Sequence, residues 1–316
     1  MRYFPGHRAA DAHALMSTKR NLIGNFFHCA KTWRALRRHP GLFSLADASM
    51  LLSGVVLPMR FGHRAAGRAL AREARIEPFE EGVVKVTVVE HGLMFYWLGR
   101  VDNNLHYSID QEFNPNFPHH YTTPPVRLTP ESLVFDVGAC EGLFAFRVLK
   151  ERQAAKVICF EPSARTARYT RMAAEVNGVA DRMIVETKAV GKTSGPVNFS
   201  EDGGSPDGHH IQAGGGGATI ECVALDDYCA ARGLKLTPRD LIKIDAEGSD
   251  FDVLLGAERL IREGSPQISV TTYHKPEHAF EIVEWLKKIQ PAYRMRLKGF
   301  ASWTPQPTPV LLQAAL

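Results

Sequence analysis

The sequence predicts an α/β protein with a Rossmann-like, doubly wound and mostly parallel sheet, preceded by an N-terminal extension of helices and short strands. From residue 131 onward, short apolar runs alternate with helical segments. The runs are apolar on both sides of the strand, as in parallel sheets whose two faces are covered by helices. Two of the runs end in acidic, glycine-containing turns, at the edge where open α/β sheets bind ligands.

Five apolar runs predict the strands of this sheet, and helical patterns follow four of them. The strands are expected at residues 133–137, 157–160, 183–186, 241–244 and 268–272. The helices are expected at residues 143 to about 153, 163 to about 176, 250 to about 262 and 276 to about 289, with Ser163 as an N-cap and Ser249 or Asp250 as another. An insertion at 196–223 predicts two weak strands and a glycine-rich surface loop.

The first 125 residues predict a separate extension. The valine-rich stretch 83–89 and the apolar run 93–98 flank a turn at His91-Gly92 and predict a small β-meander, and Asp102-Asn103-Asn104 predicts a further turn. The stretch 114–125 is rich in Pro, Asn and His and predicts a linker. We therefore expect two domains, residues 1–125 and residues 126–316.

The charge of the chain is unevenly distributed. Residues 1–75 carry 13 Lys and Arg against 3 Asp and Glu, a local net charge of +10, and the remainder carries −6. This basic region fits an anionic membrane surface or an ordinary solvated face. Nucleic acid is the weaker alternative, because the region lacks the interleaved aromatic residues of a strand-binding groove. Five cysteines without CxxC spacing indicate a reducing compartment, and we expect a cytoplasmic protein.

The first candidate site follows the first predicted strand of the sheet, in the sequence DVGACEG at 136–142. Gly138 and Gly142 let the backbone approach a ligand closely. The spacing is GxxxG rather than the GxGxxG of dinucleotide-binding loops, and Asp136 and Glu141 would repel a pyrophosphate. They would attract an ammonium and a sulfonium, which is the charge pattern of S-adenosylmethionine.

Two further strand ends carry side chains that suit the same chemistry. Glu161 lies 25 residues after Asp136, in the sequence FEP at 160–162, where a carboxylate can accept hydrogen bonds from ribose hydroxyls. Asp245 ends the fourth strand, where a methyl group and its acceptor would meet, and could act as a general base or orient the acceptor. His274, expected at the end of the fifth strand, is the other candidate for taking the proton.

Residues 131 to 296 resemble the FkbM family of S-adenosylmethionine-dependent methyltransferases. The resemblance rests on DVGACEG at 136–142, FEP at 160–162, Asn177, Leu225-Asp226-Asp227 and LIKIDAEG at 241–248 with Gly256-Ala257 downstream. It implies a class I methyltransferase fold and transfer of a methyl group to a hydroxyl of a sugar, glycolipid, polyketide or related metabolite. The chain departs from the family pattern at Cys140-Glu141, at Ser249-Asp250 and at Thr272-Tyr273-His274.

The residues and the resemblance together predict one site, with S-adenosylmethionine as cofactor and a small molecule or glycan as acceptor. Cofactor contacts are expected from Asp136, Val137, Gly138, Glu141, Gly142, Phe160, Glu161, Pro162, Val190 and Asp245. The catalytic candidates are Asp245 and His274. No metal site is expected, because the adjacent pairs His119-His120 and His209-His210 lack a Cys or carboxylate to complete a ligand set.

Two alternatives come from other functional classes. A nicotinamide-dependent oxidoreductase would share the sheet, although the acidic loop and the missing third glycine count against it. A non-catalytic module on the same scaffold, tethered through the basic N-terminal region, would keep the fold without the chemistry. Binding of S-adenosylmethionine or of NAD discriminates between the two enzyme classes.

Overall fold

The computed structural model describes residues 34, 37, 38, 41–44, 47, 72–200, 218–301 and 308–316, together with the backbone of residues 210–212. Most of the basic region 1–75 therefore lies outside the described residues, as do His209 and the glycine tract 214–217. No helix within the described ranges is long and apolar enough to cross a membrane. The four cysteines that fall in these ranges form no disulfide.

An antiparallel three-stranded meander and a helix precede the main sheet. They are β1 (Ala74–Glu80), β2 (Val83–Val88), β3 (Leu93–Trp97) and α1 (Asn103–Phe113). Strands β2 and β3 are the two predicted ones, whereas the sequence pattern does not predict β1. The turn expected at Asp102-Asn103-Asn104 is instead the start of α1, because the Asp102 side chain accepts a hydrogen bond from the Asn104 backbone N–H at 2.8 Å and caps the helix.

Strands and helices alternate from residue 133 onward as predicted, except for the consecutive strands at 183–223 and at 294–315. In order they are β4 (Leu133–Val137), α2 (Leu143–Lys150), β5 (Lys156–Phe160), α3 (Ala164–Val176), β6 (Met183–Glu186), β7 (Ala189–Val190), β8 (Gly195–Ser200), β9 (His210–Gln212), β10 (Ala218–Val223), α4 (Leu225–Arg232), β11 (Leu241–Ile244), α5 (Asp250–Leu255), α6 (Glu258–Gly264), β12 (Gln267–Thr271), α7 (His278–Ile289), β13 (Arg294–Phe300) and β14 (Pro309–Ala315). The five strands predicted for the sheet are confirmed to within one residue at each end.

The central sheet has seven strands in the order β13-β14-β12-β11-β4-β5-β6, and a smaller sheet has the order β7-β10-β8-β9. In the central sheet β14 is antiparallel to both of its neighbours, and the other adjacent pairs are parallel. The predicted α/β class with a mostly parallel sheet is confirmed. The sequence pattern does not predict the C-terminal strands β13 and β14.

Helices cover both faces of the central sheet, and alternate residues of β4 show how. Val134 belongs to a buried cluster that includes α2, α3 and the meander, whereas Phe135 and Val137 belong to a second cluster with α4, α5, α6 and α7. Successive side chains of a strand point to opposite faces, so both faces of β4 are buried. Asp136 therefore shares the face of Val134, where Cys159 of β5 also lies.

The single helix predicted at residues 250 to about 262 is divided into α5 and α6. The division falls at Gly256-Ala257. A residue of α4 caps the second of the two helices, α6. The Asp226 carboxylate of α4 accepts hydrogen bonds from the backbone N–H groups of Arg259 and Leu260, each at 2.9 Å. These are first-turn N–H groups, which have no partner inside their own helix.

The stretch 114–125, expected as a linker, packs against the central sheet. Tyr121 is only 1% exposed, and its carbonyl oxygen accepts hydrogen bonds from Ser269 Oγ at 2.7 Å and from Gln313 Nε2 at 2.8 Å. Thr123 Oγ1 donates to Gln313 Oε1 at 2.9 Å. The polar groups of this segment thus find partners inside the protein rather than in water. The domain boundary between residues 125 and 126 stays a prediction.

Candidate functional site

A buried ion pair joins the centres of β4 and β11. Asp136 and Lys243 are register partners on these adjacent strands, and Lys243 Nζ lies 2.8 Å from Asp136 Oδ1. Nζ also donates a hydrogen bond to the Gly138 carbonyl oxygen at 2.8 Å. Burial raises the pKa of the fully buried Asp136 although Lys243 opposes that shift. Burial lowers the pKa of Lys243, but the charges of Asp136 and Asp245 outweigh it and the net shift is upward.

This pairing changes the role expected for Asp136. We expected its negative charge to attract a cationic ligand, yet Lys243 already compensates that charge inside the sheet. Through Lys243, the ion pair instead fixes the carbonyl group of Gly138 at the start of the loop 138–142. Direct contact of Asp136 with a cofactor stays a prediction.

Gly138 is required by the close approach of a neighbouring strand end, and its contact with a ligand stays a prediction. Its φ is +72°, and a Cβ built on it would lie 1.8 Å from the carbonyl oxygen of Asp245. At Gly142, with φ +79°, a Cβ would lie 2.7 Å from Thr170 Cγ2. The two glycines therefore permit close packing of the loop against β11 and α3, in a conformation that side chains rarely adopt.

Glu161 occupies the carboxyl end of β5 and is held by the neighbouring backbone. Its Oε2 accepts a hydrogen bond from the Cys140 N–H at 3.0 Å, and its Oε1 accepts one from the Ser163 N–H at 2.8 Å. The side chain is buried, and burial raises its pKa to about 8 against the lowering effect of these two N–H groups. A carboxylate can accept about four hydrogen bonds, so two N–H donors leave capacity for more. The carboxylate of Glu141 lies close enough to raise this pKa further.

Three of the other predicted cofactor contacts have side chains in the hydrophobic core. Val137, Phe160 and Val190 all belong to the cluster on the α4–α7 face. The Phe160 carbonyl oxygen accepts hydrogen bonds from the N–H groups of Gly138 and Ala139, at 3.1 and 3.2 Å, so this residue shapes the loop through its backbone. Ser163 caps α3 as predicted, with its hydroxyl oxygen accepting from the Thr166 N–H at 3.3 Å.

Asp245 follows β11 and receives side chains from two other segments. The hydroxyl of Tyr121 donates to Asp245 Oδ2 at 2.7 Å, and Thr271 Oγ1 lies 3.2 Å from Oδ1. His274 Nε2 lies 3.7 Å from the same Oδ1. The structure thus brings together the two catalytic candidates, at the carboxyl ends of β11 and β12.

His274 is surrounded by carboxylates. Its Nδ1 lies 2.9 Å from Asp250 Oδ2, and its Nε2 lies 3.5 Å from Glu247 Oε2. Burial lowers the pKa of His274, but the hydrogen bond with Asp250 and the nearby carboxylates of Glu247 and Asp245 outweigh it and raise the pKa to about 11. A raised pKa favours a proton on the imidazole, which would weaken it as a general base, and the catalytic role of His274 stays a prediction.

Asp250 holds this part of the site in place. It is fully buried, and its two oxygens accept hydrogen bonds from the backbone N–H groups of Ala246 at 2.8 Å and Gly248 at 3.2 Å. Its Oδ1 also accepts from Thr271 Oγ1 at 2.9 Å. Asp250 was expected to cap the helix that it begins, whereas it organises the preceding loop, and the Ser249 side chain makes no capping hydrogen bond.

The pair His119-His120 is buried beside the site. Burial lowers the pKa of His119 to about 4 and that of His120 to about 3, so both rings are neutral at pH 7. The His119 ring packs edge-on against Tyr273, with centroids 5.0 Å apart. Of the second pair, the His209 residue and the His210 side chain lie outside the described residues.

Four residues of the site were not among the sequence-based candidates: Tyr121, Lys243, Asp250 and Thr271. Lys243 had a usable signal, because a lysine inside the apolar run Leu-Ile-Lys-Ile requires a buried partner, and Asp136 interrupts its own apolar run in the same way. Tyr121 had none, since it comes from the stretch taken as a linker. Its position depends on contacts with residues more than a hundred positions away.

One family model and two relatives match the chain. A family model described as Methyltransferase FkbM domain matches residues 136–296. The chain is 29% identical over 150 residues to the 2-O-methyltransferase NoeI of Sinorhizobium fredii, covering 42% of this chain and 60% of that protein. It is 26% identical over 194 residues to the AMB antimetabolite synthetase AmbE of Pseudomonas aeruginosa, covering 50% of this chain and 9% of that protein. The chain thus spans less than two thirds of either relative.

Two solved structures are also similar. The methyltransferase FkbM from Methylobacillus flagellatus KT is 20% identical, with a TM-score of 0.45 and coverage of 67% of this chain and 52% of that chain. The O-methyltransferase from Bacillus cereus, solved in complex with SAH, is 14% identical, with a TM-score of 0.38 and coverage of 60% of this chain and 75% of that chain.

Proposed function

Because this chain belongs to the FkbM methyltransferase family, we propose that it binds S-adenosylmethionine and transfers the methyl group to a hydroxyl of a small molecule or glycan. The observation that carries the proposal is the buried Glu161 side chain at the end of β5, which accepts a hydrogen bond from the loop 138–142 that follows β4.

Glu161 suits the ribose of the cofactor. Two backbone N–H groups hold the carboxylate in a fixed position, and its remaining acceptor capacity matches two hydroxyl donors on adjacent carbons. A buried acceptor of this kind discriminates strongly, because a ligand without donors would leave the carboxylate desolvated and unpaired.

The charges around the loop 138–142 favour a cationic nucleoside over a dinucleotide. Lys243 is paired with Asp136, so these two buried charges largely offset each other. The carboxylates of Glu141 and Asp245 contribute negative charge at the neighbouring strand ends. A pyrophosphate would be repelled from this edge, whereas the ammonium and sulfonium of S-adenosylmethionine would be attracted.

Asp245 is our candidate for orienting the acceptor hydroxyl and accepting its proton. The hydrogen bond from Tyr121 holds one of its oxygens, which restricts the direction of the carboxylate. His274, protonated in this arrangement, would position Asp245 and would not take the proton itself. When bound, S-adenosylmethionine supplies a methyl group on a positively charged sulfur, which is a good leaving group. The contribution of the protein is then mainly alignment of the acceptor.

The acceptor class is proposed from the relatives and not from a contact. NoeI is a 2-O-methyltransferase, which agrees with a hydroxyl acceptor on a sugar or related metabolite. The predicted contact of the basic region 1–75 with an anionic membrane surface stays a prediction, as does the cytoplasmic location.

Isothermal titration with S-adenosylhomocysteine at pH 9, where Glu161 with its pKa of about 8 is ionised, tests the cofactor assignment. We expect wild type to bind, and Glu161→Gln to bind about tenfold more weakly or worse, because a hydrogen bond to a charged group contributes about 1.5–3 kcal/mol. Glu175→Gln, at an exposed glutamate of α3, is the matched control and should bind like wild type. Equal affinity in Glu161→Gln would refute the ribose assignment. Binding of NAD with no binding of S-adenosylhomocysteine would support the oxidoreductase alternative.

A further inference from the structure

We propose that Asp245, Glu247 and His274 form a binding site for a divalent cation at the carboxyl ends of β11 and β12. Each residue offers one ligand atom, and these three atoms lie within 4.8 Å of one another. The set of two carboxylate oxygens and one imidazole nitrogen suits ions such as Mn²⁺ and Zn²⁺. Nothing in the sequence spacing alone indicates this site, because His274 lies 27 residues beyond Glu247.

The distances between the ligand atoms favour an ion over direct hydrogen bonds. His274 Nε2 lies 3.5 Å from Glu247 Oε2 and 3.7 Å from Asp245 Oδ1. Both distances exceed the 2.7–3.2 Å of an ordinary N–H···O hydrogen bond. Two ligand atoms that are each about 2.1 Å from one ion, at a tetrahedral angle, lie about 3.4 Å apart.

The orientation of His274 is that of a metal ligand. Its side chain is 10% exposed, and Nε2 is buried and has no hydrogen-bond partner within the described residues. Its other nitrogen, Nδ1, lies 2.9 Å from the fully buried Asp250 Oδ2. Histidines that bind metals commonly donate the second ring N–H to a carboxylate in this way, which aims the remaining nitrogen at the ion.

The charge of the cluster also suits a divalent ion. Three carboxylates, those of Asp245, Glu247 and Asp250, surround one imidazole. An ion of charge +2 would be attracted by these carboxylates.

The role of the ion rests on the proposed function. Three protein ligands leave coordination positions open for the acceptor hydroxyl. The positive charge would ease transfer of the hydroxyl proton to Asp245, the proton acceptor proposed above, as the oxygen–methyl bond forms. The sulfur–methyl bond breaks in the same step, and its electron pair stays on sulfur.

Titration of MnCl₂ into the full-length protein, stripped of metal with a chelator, tests the site by calorimetry and by electron paramagnetic resonance. ZnCl₂ is titrated in parallel. We expect one saturable site for at least one of these ions. His274→Asn should weaken binding at least tenfold, because the Asn amide keeps a donor near the position of Nδ1 and removes Nε2. Glu247→Gln should act in the same direction, and because this side chain is 32% exposed the variant tests the site without loss of the fold.

His91→Asn is the matched control, since this exposed histidine stacks on Phe113 away from the cluster. Failure of wild type to bind either ion, or equal binding in His274→Asn and Glu247→Gln, would overturn the proposal. Titration of S-adenosylhomocysteine into the same samples separates the two proposals. Binding of a metal ion without binding of S-adenosylhomocysteine refutes the proposed function alone. Binding of S-adenosylhomocysteine without binding of a metal ion refutes the metal site alone.

Discussion

The ion pair between Asp136 and Lys243 offers the most direct test of how this site is held together. Lys243→Met keeps most of the length and the apolar stem of the side chain but removes its charge. Asp136, which is fully buried, is then left without its compensating cation. The variant also removes the hydrogen bond from Nζ to the Gly138 carbonyl oxygen, which holds the loop 138–142.

The expected loss of stability is large. Removing one partner of a buried ion pair costs about 3–5 kcal/mol, because an uncompensated charge stays in the interior. With about 2–4 °C lost per kcal/mol, the melting temperature should fall by roughly 6–20 °C. The double variant Asp136→Asn/Lys243→Met removes both charges and should recover most of this loss. Lys298→Met is the contrast, because Lys298 donates to the carbonyl oxygens of Pro115 and His120, so no carboxylate is stranded.

Urea unfolding at pH 7 and at pH 4.5 measures the effect. Without Lys243, the pKa of Asp136 in the folded state rises further above its unfolded value of about 3.9. The folded state then retains a proton that the unfolded state has released, so the penalty grows as pH rises. We expect a smaller loss at pH 4.5 than at pH 7. A loss below about 1 kcal/mol at pH 7, or a double variant as unstable as Lys243→Met, would refute the reasoning.

Three further changes test other parts of the site. Gly138→Ala should destabilise the protein by about 3 kcal/mol or more in urea unfolding, because its Cβ would meet the Asp245 carbonyl oxygen at 1.8 Å. Gly178→Ala has a similar φ of +67° with open space around it, so an equal loss there would contradict the steric argument. Tyr121→Phe should cost about 1.5–3 kcal/mol, since it removes a buried hydroxyl bonded to a carboxylate, and an unchanged urea midpoint would count against that bond. Glu161 has a pKa of about 8 in the folded state against 4.5 for a free side chain, so its contribution to stability should fall as pH rises from about 5 to 8. Glu161→Gln should remove this decline, and a parallel pH profile in wild type and variant would show that Glu161 is not its source.

Local signals in the sequence predicted most of the central sheet. Each apolar run has clear ends, and a strand that is buried on both faces is apolar along its whole length. Such a run can be recognised without knowing which strands lie beside it in the sheet. The same holds for the position of Glu161, because the end of a strand and the start of a capped helix are both encoded within a few residues. The C-terminal strands β13 and β14 were not predicted, although Val310-Leu311-Leu312 in β14 is an apolar run that follows a Pro-rich stretch.

The candidate site could be predicted only in part, for a related reason. Asp136, Glu161, Asp245 and His274 were found because carboxyl ends of parallel strands meet at one edge of a sheet. Their roles could not be assigned from the sequence, because the role of a side chain depends on which charged group of a neighbouring strand or loop lies beside it. Asp136 was expected to attract a ligand, and the register of β4 with β11 gives it to Lys243 instead.

By itself, the sequence determined the α/β class, the succession of the main strands along the chain and the residues at their acidic ends. Periodicity, glycine spacing and helix capping determine these features because they act over a few positions. The tertiary structure alone decided the pairing of Asp136 with Lys243, the contact of Tyr121 with Asp245 and the orientation of His274 by Asp250. Each of these contacts joins segments that are separate in the chain. Strand order, register and the packing of the 114–125 stretch bring them within bonding distance, and no local pattern records that outcome.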